Sequence, residues 1–147
     1  MPHNHEWQFR IKAVEREYLV MLQAAARFRG AASEDPTIIK GNFRQSEIAL
    51  ASENLGGTYL IRLFAEFETG ARQFWTTRWI TEPKTTGLID GLAARCRIPD
   101  RQRDNAHQVR EYRNALVHER EDQPDAVLMG EARSYLCHFF SYFPPRW

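Results

Sequence analysis

The chain has little cysteine, little excess charge and no long apolar run, and each shortage excludes something. Two cysteines, Cys96 and Cys137, stand among 147 residues. They are too few for a disulfide framework and lack the spacing of a metal cluster. Both are expected as reduced thiols that pack rather than react. The formal net charge is only +1, so bulk charge does not hold nucleic acid here, and any RNA contact must come from a local patch. No apolar stretch approaches bilayer length, and the opening MPHNHEWQFR lacks the apolar core of a signal peptide. A cytoplasmic chain with no membrane partner is expected. His3 and His5 read as a flexible end, since two ligands do not close a coordination shell. No metal and no cofactor are expected. Nowhere do apolar and polar residues alternate over strand length, and there is no internal repeat, low-complexity tract or glycine-rich phosphate loop.

What is present is an ordinary globular inventory, 43% hydrophobic and 27% charged, with nine Phe, five Tyr and four Trp. That suffices for one domain over residues 1–147 with a partly aromatic core. Trp7, Ile11, Val14, Tyr18, Met21, Leu22, Ala25 and Phe28 recur at steps of three and four, the stripe of a helix ending near Gly30. Residues 31–45 hold Pro36 and Gly41 and read as a long loop. A second helical region spans about 46–80, interrupted by Gly56 and Gly57, so it is one kinked helix or two. LIDGLAARC reads as a short helix, residues 100–119 as another, and 125–143 as the last, followed by PPRW as a tail. These elements predict an all-α bundle of four to five helices.

Within the fourth long helix, EYRNALVHER (111–120) sets Arg113, Asn114 and His118 close together. On a helical wheel Ala106, Val109, Tyr112 and Leu116 form the buried side, with Arg113 at its edge, roughly 40° from Val109. Asn114 and His118, four apart, stack on another face, and Arg113 has the reach to curl toward them. A guanidinium suits phosphate oxygens, an imidazole gives or takes a proton, and an amide steadies an oxyanion or a neighbour. RNA cleavage needs no metal if one group deprotonates the 2′-hydroxyl, another protonates the leaving oxygen, and a cation steadies the phosphorane. One His per chain supplies one proton transfer, and a dimer supplies both.

The bare pattern of Arg, four to six residues, then His occurs three times: Arg101 with His107, Arg113 with His118, and Arg133 with His138. The first lies in the polar DRQRDNAHQ and reads as a solvated helix start. The third adjoins FFSYF, where His138 reads as packed or capping. Only the middle copy has Asn directly after Arg, an apolar ALV spacer and an immediate helix stop. That copy, YRNALVHE, resembles the HEPN superfamily, small all-α domains with an Arg-polar-spacer-His motif near the end of a late helix. The resemblance implies a HEPN-like bundle and a metal-independent endoribonuclease of a toxin–antitoxin or other defence system. It also implies a homodimer with the motif at the interface, Arg113 and His118 catalytic and Asn114 supporting them, and a possible antitoxin partner. Arg120 stands where members controlled by a nucleotidyltransferase carry Tyr, so that mode of control is not expected. The alternative is a non-catalytic HEPN-like dimer that binds a nucleotide, RNA or protein.

Arg110, Arg120 and Arg62 are candidate substrate-binding residues. Arg110 and Arg120 extend a basic rim, or else pair with Glu111, Glu119 or Glu121. Arg62 faces the motif together with Glu66, or forms a surface pair with it at helical spacing. FWTTRW (74–79) offers rings on which bases stack, but a core stripe is the favoured reading.

Overall fold

The computed structural model describes residues 3–118 and 121–147. The chain runs α1 (Asn4–Glu34), a 3-10 turn (Pro36–Ile38), α2 (Gln45–Thr76), α3 (Thr85–Arg95), α4 (Asp100–Val117) and α5 (Met129–Phe140). Among the described residues there is no strand, only one bridge between His3 and Arg146. The all-α architecture expected from the apolar periodicity is the one observed.

Helix α1 is longer than its sequence signals suggested, and α2 is one unbroken helix that stops at Thr76, short of the end expected near 80. The loop expected over 31–45 shrinks because α1 continues to Glu34, and Asp35 then caps the 3-10 turn by accepting from the Thr37 backbone N–H at 3.1 Å and its hydroxyl at 2.6 Å. Those bonds hold the Asp35 carboxyl below its ordinary range. Helix α2 passes through Gly56 and Gly57 without a break. Gly57 is a close-approach point, where a Cβ would lie 3.3 Å from Leu116 Cδ2, whereas one on Gly56 would meet the Tyr18 hydroxyl at an ordinary 3.8 Å. Tertiary packing there outweighs a helix penalty of about 1 kcal/mol per glycine.

The core is built around the second half of α2. Leu60, Leu63, Phe64, Phe67, Ala71 and Phe74 meet Trp7 and Ile11 from α1, Leu88, Ile89 and Leu92 from α3, Val109 from α4, and Leu136, Phe139 and Phe140 from α5. Phe67 sits edge-on to both Phe139 and Phe140 at 5.4 Å, the arrangement aromatic quadrupoles favour. The two ends of the chain are tied together, contrary to the flexible end and tail expected from sequence. Asn4 donates its amide to the Phe143 carbonyl and its backbone N–H to the Pro145 carbonyl, both at 3.1 Å. Trp147 is buried against Phe74 and Phe143. The last helix is correspondingly shorter than 125–143.

The second half of α1 and the first half of α2 carry far less. Leu19, Val20, Met21, Leu22, Phe28 and Leu50 remain exposed there. An apolar groove of about 510 Å³ runs between the two helices. Among the described residues no helix is long and apolar enough to cross a membrane.

Candidate functional site

Helix α4 starts after Pro99, with Asp100 in its first turn where a negative charge complements the helix dipole. It stops at Val117. His118 turns to an extended backbone (φ −117°, ψ 125°), yet its N–H still donates to the Asn114 carbonyl at 2.9 Å. Asn114 also accepts from Arg113 Nη1 on its side-chain oxygen at 2.9 Å. One asparagine therefore grips the guanidinium with its side chain and the backbone of the histidine with its carbonyl. This matches the curl of Arg113 toward the Asn114 face expected from the wheel.

Arg113 is half-buried, its guanidinium 5.7 Å from the centre of the Phe64 ring, an arrangement that holds the planar fork by cation–π attraction. Its Nε is buried without a hydrogen-bond partner among the described residues. Among the described residues no carboxylate pairs directly with Arg113. Glu68 is near enough to feel its charge, but that carboxylate is occupied by Arg72 at 2.7 Å and the Thr85 hydroxyl at 2.6 Å. Burial pushes the Glu68 carboxyl up, and the bonds from Thr85 and Arg72 outweigh it, leaving it below its ordinary value. The His118 side chain is exposed, with no side-chain partner among the described residues.

Arg110, Asn114 and His118 recur every four residues and so line one stripe of α4, neighbours about 5–6 Å apart at Cβ. Arg110 is not a free rim cation. It donates to His107 Nδ1 at 3.2 Å and pairs with Glu111, the pairing weighed against the rim. His107 in turn bonds Asp90 of α3 through Nε2 at 2.6 Å. This relay corrects the reading of His107 as part of a solvated helix start, and its only sequence signal was the Arg101–His107 match. Arg62 departs from both readings made for it: it pairs with Glu17 of α1 at 2.9 Å and stacks on Tyr59, so it does not join the motif or pair with Glu66. The hydrogen bond from Arg62 lowers the Glu17 pKa, and burial beside that carboxylate raises the Tyr59 pKa. Arg120 lies outside the described residues. Of the third Arg–His pair, Arg133 binds Glu15 at 2.8 Å and His138 stacks on Tyr142. Leu116, expected in the core, is over a third exposed because it caps Gly57 from outside.

Among the described residues no group of three His, Cys, Asp or Glu side chains is placed to hold a metal ion. Burial raises the pKa of both cysteine thiols, keeping them in the protonated form that packs. Compared with models of known families, with curated proteins and with solved structures, the chain matches none.

Proposed function

We propose that this chain is a HEPN-type endoribonuclease that cuts RNA without a metal, of the kind found in toxin–antitoxin and other defence systems. The observation that supports it is the fixing of the Arg113 guanidinium beside His118 at the end of α4, by the Asn114 side-chain oxygen and the Phe64 ring. Arg113 is held over Phe64 with no directly paired carboxylate among the described residues, so its charge is available to a phosphate. His118 serves as general acid or base on the 2′-hydroxyl or the leaving 5′-oxygen. Arg113 stabilises the charged phosphorane, and Asn114 keeps the fork in place.

The second proton transfer comes from His118 of a second copy. An apolar surface beside the motif favours that pairing. Leu116 and Val117 are exposed at the end of α4. Gly56 faces Tyr18 and Gly57 faces Leu116, so this end lies level with the start of the exposed run Leu19–Leu22 on α1.

The test is incubation of the purified protein with RNA in excess chelator, with sedimentation to give its oligomeric state. Cleavage by a dimer, lost in folded His118→Ala and Arg113→Ala, is the expected result. Undiminished cleavage by His118→Ala would end the assignment. RNA retained but uncut by the wild type would favour the non-catalytic binding reading instead.

A further inference from the structure

A second polar site lies at the C-terminal end of α2. Ten residues separate Phe64, under Arg113, from Phe74, which is about 15 Å along a helix. Beyond Phe74 a cavity of about 380 Å³ opens between the end of α2, the end of α3 and the chain after α5. Arg78 and Arg95 enter it, with Trp79 and Tyr142 among its walls, and no carboxylate lines it. Arg95 packs against a pair of touching indoles, 4.7 Å from the centre of Trp75 and 4.9 Å from that of Trp79, whose own centres are 4.6 Å apart. Arg78 lies over Phe74 at 5.6 Å. Neither forms an ion pair among the described residues. Among the described residues the Arg95 guanidinium donates one bond, to the Gly91 carbonyl at 3.3 Å, and the Arg78 guanidinium donates none. A guanidinium carries five N–H donors, so most of these are left for a ligand or water.

We infer that this cavity binds one nucleoside phosphate, its phosphate between Arg78 and Arg95 and its base against Trp79 or Tyr142. Two unneutralised forks at one mouth suit phosphate oxygens better than any neutral group. Trp79 and Tyr142 are only partly buried; Trp79 already packs on Trp75 and Arg95, while His138 stacks on one face of Tyr142 and leaves the other for a base. The volume is at the scale of small-molecule sites. Cys96, also in the wall, is raised in pKa by burial and takes no covalent part. The unit bound is either a free nucleotide or one residue of a single-stranded RNA, and the chemistry is the same.

Equilibrium dialysis of the full chain separates these sources. The probes are adenosine 5′-monophosphate, adenosine, ribose 5-phosphate and a 2′-O-methyl adenosine pentamer that no 2′-hydroxyl attack can cut. The monophosphate is expected to bind about tenfold tighter than either fragment, because stacking and phosphate contacts both contribute. Arg78→Gln, at an exposed residue, is expected to weaken it at least tenfold with the circular dichroism unchanged. A pentamer that binds tighter than the monophosphate, and loses that advantage in Arg78→Gln, marks an RNA track. Equal or weaker pentamer binding marks a free-nucleotide site. No monophosphate binding at millimolar concentration, binding equal to that of adenosine, or binding unchanged in Arg78→Gln would overturn the inference. Arg113 and His118 take no part in this cavity, so failure of the nuclease reading leaves the result unaffected.

Discussion

Gly70 is where the arrangement of α1, α2 and α5 is most sharply constrained, and Gly70→Ala tests it. A Cβ there would lie 2.6 Å from Trp7 Cδ2 and 2.8 Å from both Trp7 Cγ and Phe140 Cζ. Carbon atoms prefer about 3.5–4.0 Å, so the overlap is close to 1 Å against two rings from two helices. Neither ring can swing aside: Trp7 is buried and donates to Gln73 at 3.1 Å, and Phe140 is fully buried edge-on to Phe67. Overpacking costs about 1–3 kcal/mol, and two rigid partners place this site at the upper end. Alanine regains about 1 kcal/mol of helix propensity. The net loss is about 2 kcal/mol, or about 4–8 °C in Tm for a chain of this size. Gly30→Ala is the control. It sits in α1 with nothing within 4 Å of its Cβ, and it should gain up to about 1 kcal/mol. Urea unfolding of both variants is the assay. Equal or greater stability of Gly70→Ala than wild type would refute the packing derived for this crossing.

Other outcomes follow from the same structure. Trp147→Ala should cost about 3 kcal/mol by thermal unfolding, because the last residue fills a pocket against Phe74 and Phe143. Trp147→Phe should cost clearly less, since the indole N–H has no partner. The lowered pKa of Glu68 means it stabilises the fold above the ordinary Glu value of 4.5 and loses that contribution as pH falls through its folded value. The urea-midpoint difference between wild type and Glu68→Gln should therefore shrink in acid, and a constant difference would contradict the pairing with Arg72 and Thr85. On the nuclease proposal, Arg113→Lys should fold but cut RNA about a hundredfold more slowly in chelator, because an ammonium cannot engage Asn114 and a phosphate with one planar fork.

The helices were legible in the sequence because their apolar stripes are local. The Arg113–Asn114 contact was legible for the same reason, its partners being neighbours on one turn. What escaped depends on residues far apart in the chain. Gly56 and Gly57 looked like a kink or a break because a glycine's cost is local, whereas the contact with Leu116 that accounts for Gly57 is not. Arg62 was assigned a partner four residues away, but Glu17, forty-five positions earlier, holds it. Residues 144–147 looked like a tail because nothing in PPRW announces that Trp147 docks on Phe74. The Asp90–His107–Arg110 relay needed the packing of α3 on α4, which no spacing along one helix reveals.

The chemistry of the cut ends tests the nuclease reading most directly. On that reading, attack by the 2′-hydroxyl, assisted by His118 and Arg113, would leave a 2′,3′-cyclic phosphate on one fragment and a 5′-hydroxyl on the other. Mass spectrometry of RNA digested in excess chelator should find those ends with wild-type protein and none with His118→Ala. Fragments bearing 5′-phosphates, or no fragments at all from the wild type, would contradict it.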